Sequence, residues 1–311
     1  MPELAVAHQL SKVARNIIRT VLYYDIFDYP LKEEELFQNV SEEMDLLEFR
    51  GELNELIAQG LLGESDGFIS NFRGEDLIER RIAGNQRAQN MLKRAHRISQ
   101  FIGQFPFVRA VCLSGSISKN YMDEGTDIDY FVITKPGRLW LARTLLVGFK
   151  KVFLFNSYKY FCMNYFIDTD HLEIEEQNIF TATEIATLIP TYGRETYIPF
   201  VTGNNWAKAH YPNFNGTPAG DIPVGRAGAL KKFLEWTLSF GWGDALDRYF
   251  MGLTMRQWEK KFGHFQREDF DVAMKSRKYV SKHHPGNFQQ RVLSKLAEKR
   301  AQFEHKHGIT V

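Results

Sequence analysis

Two aspartates separated by one isoleucine, Asp127-Ile128-Asp129, and a Gly115-Ser116 pair ten residues upstream carry the strongest chemical signal in this sequence. Carboxylates at i and i+2 on an extended segment point to one face, because side chains alternate along a strand. Ile128 then points the other way, into a core. Two carboxylates on one face are a seat for one or two magnesium ions, or manganese in their place. Such ions take oxygen ligands and fill their remaining positions from water and phosphate. A metal pair stabilises both the attacking and the leaving oxygen of an in-line phosphoryl displacement. Gly115 lets the backbone approach a phosphate closely, and Ser116 offers a hydroxyl and an N–H as donors. A helix starting just after it favours an anion at its N-terminus. Lys119 supplies a point charge suited to a triphosphate tail, with a solvated surface lysine as the alternative reading. Arg138 and Arg143, further on, read as surface positions.

These residues need a frame. Between 106 and about 174, short apolar runs alternate with helical patterns, which is the α/β signature. Val108 to Leu113 and Tyr130 to Ile133 read as strands, with a helix-compatible stretch from Ser116 to Met122 between them. Leu139 to Phe153 has helical periodicity, and Lys159 to Ile167 reads as a third strand. Upstream, residues 11–72 predict three helices and a hairpin. Val13, Ile17, Ile18, Val21 and Leu22 mark the first helix, and Leu31 to Asn39 the second. Ser41 is the expected N-cap of the third. Ser65-Asp66-Gly67 is the hairpin turn. A polar helix with an apolar stripe spans 74–103, and residues 176–311 read as mostly helical. The predicted organisation is therefore a unit at 1–73, a linking helix at 74–103, an α/β (α+β) core with a small mixed sheet at 104–175, and a helical region at 176–311.

With Gly115, Ser116, Asp127, Ile128 and Asp129 in place, the sequence resembles the nucleotidyltransferase superfamily related to DNA polymerase beta. The resemblance runs from the strand before Gly115 through the third strand. It implies transfer of a nucleoside monophosphate from a nucleoside triphosphate such as ATP to a hydroxyl, with release of pyrophosphate. Asp127 and Asp129 would be the metal ligands, and Gly115, Ser116 and Lys119 the nucleotide contacts. The superfamily's third carboxylate belongs on a following strand. Asp168 is the first choice for it and Glu173 the second. Asn164 in its place would leave a nucleotide-binding protein without efficient transfer. The order of elements at 11–72 resembles a winged helix-turn-helix. Its third helix, however, carries Glu42, Glu43, Asp45, Glu48, Glu52 and Glu55 against Arg50. Such a face repels phosphates, which favours a structural or protein-contact role over DNA binding.

The chain has 311 residues, 44% of them apolar and 25% charged, with a net charge of +1. That is an ordinary globular composition and gives no general pull toward nucleic acid. The acceptor is accordingly expected to be a small molecule or a protein. Cys112 and Cys162 sit in apolar runs and read as buried free thiols. The most apolar stretch, Leu139 to Phe155, is interrupted by Arg143, Lys150 and Lys151, so no membrane partner is expected and the cytoplasm is the expected location. The one basic stretch includes Lys275, Arg277, Lys278, Lys282, His283, His284 and Arg291. It reads either as a phosphate contact or as a solvated face.

Overall fold

The structure is a computed structural model and describes residues 10–71, 74–157, 159–262, 273–283 and 286–311. Among these residues it is a mixed α/β protein with two sheets. Helix α1 (Lys12–Asp25) is capped by Ser11, whose hydroxyl accepts from the Ala14 N–H. Strand β1 (Leu31–Lys32) leads into α2 (Glu33–Asn39). Helix α3 (Leu46–Ala58) starts later than Ser41 predicts, because Asp45 accepts from the N–H groups of Leu47 and Glu48 and so provides the cap. Strands β2 (Gly63–Ser65) and β3 (Phe68–Ser70) form the expected hairpin, and β1 adds to β3. Its turn residues Asp66 and Gly67 both have positive φ, as a two-residue hairpin of this kind requires.

Helix α4 (Glu75–Gly103) runs from this unit to the larger sheet. That sheet has the order β7-β4-β5-β6-β9-β8 among the described residues. Its strands are β4 (Val108–Ser114), β5 (Asp129–Thr134), β6 (Cys162–Asp168), β7 (Ile189–Tyr192), β8 (Ser276–Arg277) and β9 (Val280–Lys282). Only the β5–β6 pair is parallel; the other described pairs are antiparallel. Short α5 (Gly115–Ser118) follows β4, and α6 (Leu139–Phe153) crosses from β5 to β6. The region expected to be helical beyond 176 thus contributes three strands. It also supplies α7 (Ile179–Ala186), α8 (Arg194–Gly203), α9 (Ala229–Thr237), α10 (Gly241–Phe262) and α11 (Phe288–His307). The three strands are only two to four residues long, too short for periodicity to reveal them.

The alternation along β5 sorts its side chains onto two cores. Ile128, Tyr130 and Val132 join the cluster under α4, α6 and α10. Phe131 and Ile133 join the cluster under α7 and α8. Val292, Phe303 and Val311 from the far end of the sequence complete the apolar core of the N-terminal unit. No helix among the described residues is long and apolar enough to cross a membrane.

Candidate active site

Strand β4 ends at Ser114 and delivers the chain into Gly115, whose φ is +69°. A Cβ there would also lie 2.5 Å from Oδ2 of Asp129. Glycine is required at this position on two grounds, backbone handedness and the carboxylate seated against it. Ser114 and Asp129 are register partners on β4 and β5. The glycine turn and the second aspartate are therefore one structural unit.

Beyond the turn, the Ser116 hydroxyl oxygen is buried with no hydrogen-bond partner. A buried orphan hydroxyl is costly, and a ligand oxygen would satisfy it. Lys119 is committed elsewhere. Its ammonium donates to the Gly115 carbonyl at 3.1 Å and pairs with Glu184 at 2.8 Å. It ties the turn to α7. Ser118 likewise donates to the Gly115 carbonyl.

The connection from 119 to 126 is pinned to α4. Arg80 pairs with Asp123 at 2.6 Å, and Tyr121 donates to the same carboxylate. The Met122 N–H bonds to the carbonyl of Gly84, where any side chain would strike the Tyr121 ring. Tyr29, from the N-terminal unit, donates to the carbonyl of Lys119 at 2.7 Å. This connection is thus fixed from two sides before it reaches Asp127.

Asp129 is the first residue of β5, and Asp127 lies two residues before it. Asn164 donates from Nδ2 to Asp129 Oδ1 at 2.5 Å, and Cys162 donates from Sγ to Asn164 Oδ1 at 3.1 Å. The β5–β6 register slips beside Asn164, since Tyr130 faces Met163 while Phe131 faces Tyr165. That bulge presents Asn164 to Asp129. Burial pushes the Asp129 carboxyl up to about 7; Glu184 and Asp127 add to the rise, and the Cys162 thiol and Lys119 pull the other way. Burial pushes the Cys162 thiol up to about 12, so it is a neutral donor. Lys150 of α6 is buried near Cys162 and Asp127, and burial lowers its pKa.

The structure does not bring Asp168 to this pair. It faces Thr134 at the opposite end of the β5–β6 ladder, roughly 17 Å from Asp129 at the usual strand rise. Its carboxylate accepts from the Asp170 N–H and contacts the His171 ring at 2.8 Å. Sequence period alone cannot say how far along a parallel partner a residue falls, and the bulge at Asn164 shifts the register besides. Glu173 lies further along the chain and bonds Gln177. The carboxylate that reasoning from sequence missed is Glu184 on α7, which acts electrostatically on Asp129. Its helix is visible as a pattern, but the helix's packing over β5 is not.

Asp129, Asn164 and Glu184 line a cavity of about 540 Å³ between β5, β6, α7 and the start of α11. The basic stretch is largely spent on internal pairing. Lys275 bridges Glu175 and Glu176, Arg277 pairs with Glu175, and Lys282 is buried against Gln289. His284 lies outside the described residues. Arg138, expected at the surface, is buried, pairs with Asp244, and donates to the carbonyls of Leu238 and Ser239 after α9. Cys112 and Cys162 are free and buried, as expected.

Among the described residues, no group of three or more His, Cys, Asp or Glu is arranged to hold a metal ion. The donor set present is Asp127 and Asp129, the latter raised toward neutrality by burial, with the orphan Ser116 hydroxyl beside them. That set fits magnesium, which is held by one or two carboxylates when phosphates and water supply the rest. No family model, curated protein or solved structure matches this chain.

Proposed function

We propose that the protein binds a magnesium nucleoside triphosphate at Gly115, Ser116, Asp127 and Asp129 and transfers its nucleoside monophosphate to a hydroxyl. The observation that carries this reading is the contact of the Gly115 turn with the Asp129 carboxylate, next to an unsatisfied Ser116 hydroxyl. The Gly115 turn and the Asp129 carboxylate lie against each other, which supports their engaging one triphosphate.

In the reaction the acceptor hydroxyl oxygen forms a bond to the α-phosphorus, and the bond from that phosphorus to the bridging oxygen breaks. Pyrophosphate leaves. Magnesium, when bound, would supply positive charge to the phosphate oxygens. Ser116 donates to a phosphate oxygen. Asn164 orients Asp129 through its amide, and the Cys162 thiol orients Asn164. Lys119 holds Glu184 against the turn, and Glu184, which lines the cavity, would take the hydroxyl proton. It assumes the role expected for Asp168. The N-terminal unit, whose element order supports a winged-helix-like reading, buttresses the turn through Tyr29. The exposed Glu48 and Glu55 on α3 support a structural role for it over DNA binding.

The test is incubation with each α-labelled nucleoside triphosphate, magnesium or manganese, and cell extract. Label should pass to an acceptor and vanish with Asp127→Ala and Asp129→Ala. Asn164 beside Asp129 favours a second reading, nucleotide binding without transfer. Magnesium-dependent nucleotide binding with no acceptor labelled from any extract would decide for it.

A further inference from the structure

The cavity beside Asp129 says more about the acceptor than the metal pair does. Its walls are chiefly Phe131, Ile174, Phe180, Ile185, Leu188 and Phe200. They come from β5, α7, α8 and the segments between them. Its polar end is formed by Gly115, Asp129 and Asn164. At about 540 Å³ it lies in the range of sites that enclose a drug-sized ligand. The apolar wall rewards burial of hydrocarbon or aromatic surface.

Charged side chains of both signs line the cavity: Asp129, Glu176, Glu184, Lys282 and His283. Lys282 is held by Gln289, and Glu176 and Glu184 are already paired with Lys275 and Lys119. These charges are thus largely compensated, and a charged body entering the apolar part loses its hydration. Gly115 and Asp129 hold the triphosphate at the polar end, and the apolar wall is left for the other substrate.

We infer that this cavity is the acceptor site and that the acceptor is a small, largely apolar, uncharged molecule with a hydroxyl directed at Asp129. The inference rests on the nucleotidyl-transfer reading for the role of the site, but the cavity's selectivity can be measured without any transfer. An apolar cavity of this size selects a free small molecule over a protein surface or a strand of RNA.

The test uses three probes with one ring and one chain length: 2-naphthaleneethanol, 2-(2-naphthyl)ethylamine and 2-naphthylacetate. Each is titrated into the full chain by calorimetry, with and without magnesium and a non-hydrolysable ATP analogue. The neutral probe should bind at least tenfold more tightly than either charged one. The nucleotide should not compete with them. Ile185→Trp, and independently Leu188→Phe, should weaken the probes at least tenfold and leave nucleotide affinity within about twofold. Equal binding of all three probes, competition by the nucleotide, or unchanged probe binding in both cavity-filling variants would overturn the inference. So would nucleotide binding accompanied by no probe binding. Probe binding with the predicted charge order and no nucleotide binding would support the cavity's selectivity and sink the nucleotide reading instead.

Discussion

Asp129→Asn should make the protein more stable at high pH, and the gain can be sized from the structure. Burial raises the Asp129 carboxyl from its ordinary 3.8 to about 7. Below pH 4 the group is protonated in both the folded and unfolded chains and contributes nothing. As pH rises, the unfolded chain ionises first, while the folded chain keeps its proton. Folding stability therefore falls between about pH 4 and pH 7, at about 1.4 kcal/mol for each pH unit. Above pH 7 the loss is complete, and the full distance from 3.8 corresponds to about 4 kcal/mol. The open side of the cavity lets water reach the group, so about 2–4 kcal/mol is expected. Asparagine keeps an oxygen for the Asn164 amide and cannot ionise. The variant should match the parent near pH 4 and exceed it at pH 8. For a chain of this size the gain is about 4–8 °C in melting temperature, taking about 2 °C per kcal/mol. Because other acids titrate in the same range, the informative quantity is the difference between variant and parent, by thermal or urea unfolding at closely spaced pH. Millimolar magnesium at pH 8 should narrow that difference by stabilising the parent alone. A constant offset from pH 4 to pH 8, or a gap that widens toward low pH, would refute the reasoning.

Gly115→Ala should cost about 2–3 kcal/mol, from a strained positive φ together with the Cβ pressed on Asp129 Oδ2; urea unfolding measures it, and nucleotide binding should fall with it. Asn164→Asp should lower the melting temperature in chelator, since it sets a second carboxylate on Asp129, and should steepen the rise in melting temperature with added magnesium. Asp168→Asn should leave nucleotide affinity and transfer unchanged and lose about 1 kcal/mol of stability through the bonds to Asp170 and His171. Arg81→Met should cost about 3–5 kcal/mol, because this fully buried guanidinium joins α4 to Pro30 and Glu35, bonds Asn85 one turn along its own helix, and stacks on Tyr29. Hydrogen exchange should then quicken throughout 12–70.

Local chemistry was the legible part of this fold. The hairpin at Asp66-Gly67 needs positive φ at both positions, and only a few residue types supply it, so composition revealed it directly. Helix α6 spans Leu139–Phe153, the bounds its periodicity predicts. The Gly115 turn and the outward-inward alternation at Ile128 follow from single-residue geometry. What stayed hidden depends on long-range pairing. Asp168 shares the sequence neighbourhood of Asn164 but lies at the other end of the ladder, and no period in β6 reveals a bulge. Glu184 reaches the site because α7 packs over β5, a matter of tertiary packing. Strands β7, β8 and β9 are too short to register against the helical segments around them. Ser41 lost the cap to Asp45, an equally good capping residue a few positions later.

The seating of Val292, Phe303 and Val311 in the core of the N-terminal unit has a consequence for biogenesis. Lys299 also pairs with Asp25 across nearly the whole sequence. Helices α1 to α3 leave the ribosome well before α11 and therefore keep an unfinished apolar surface, which stays open until residues 288–311 have been made. Until then their exposed Ile17, Leu22 and Phe49 are targets for chaperones, or for a neighbouring nascent chain. Contacts of such sequence separation also slow the search for the native state. Shortening the message ahead of α11 should thus yield an insoluble product in place of a smaller folded one.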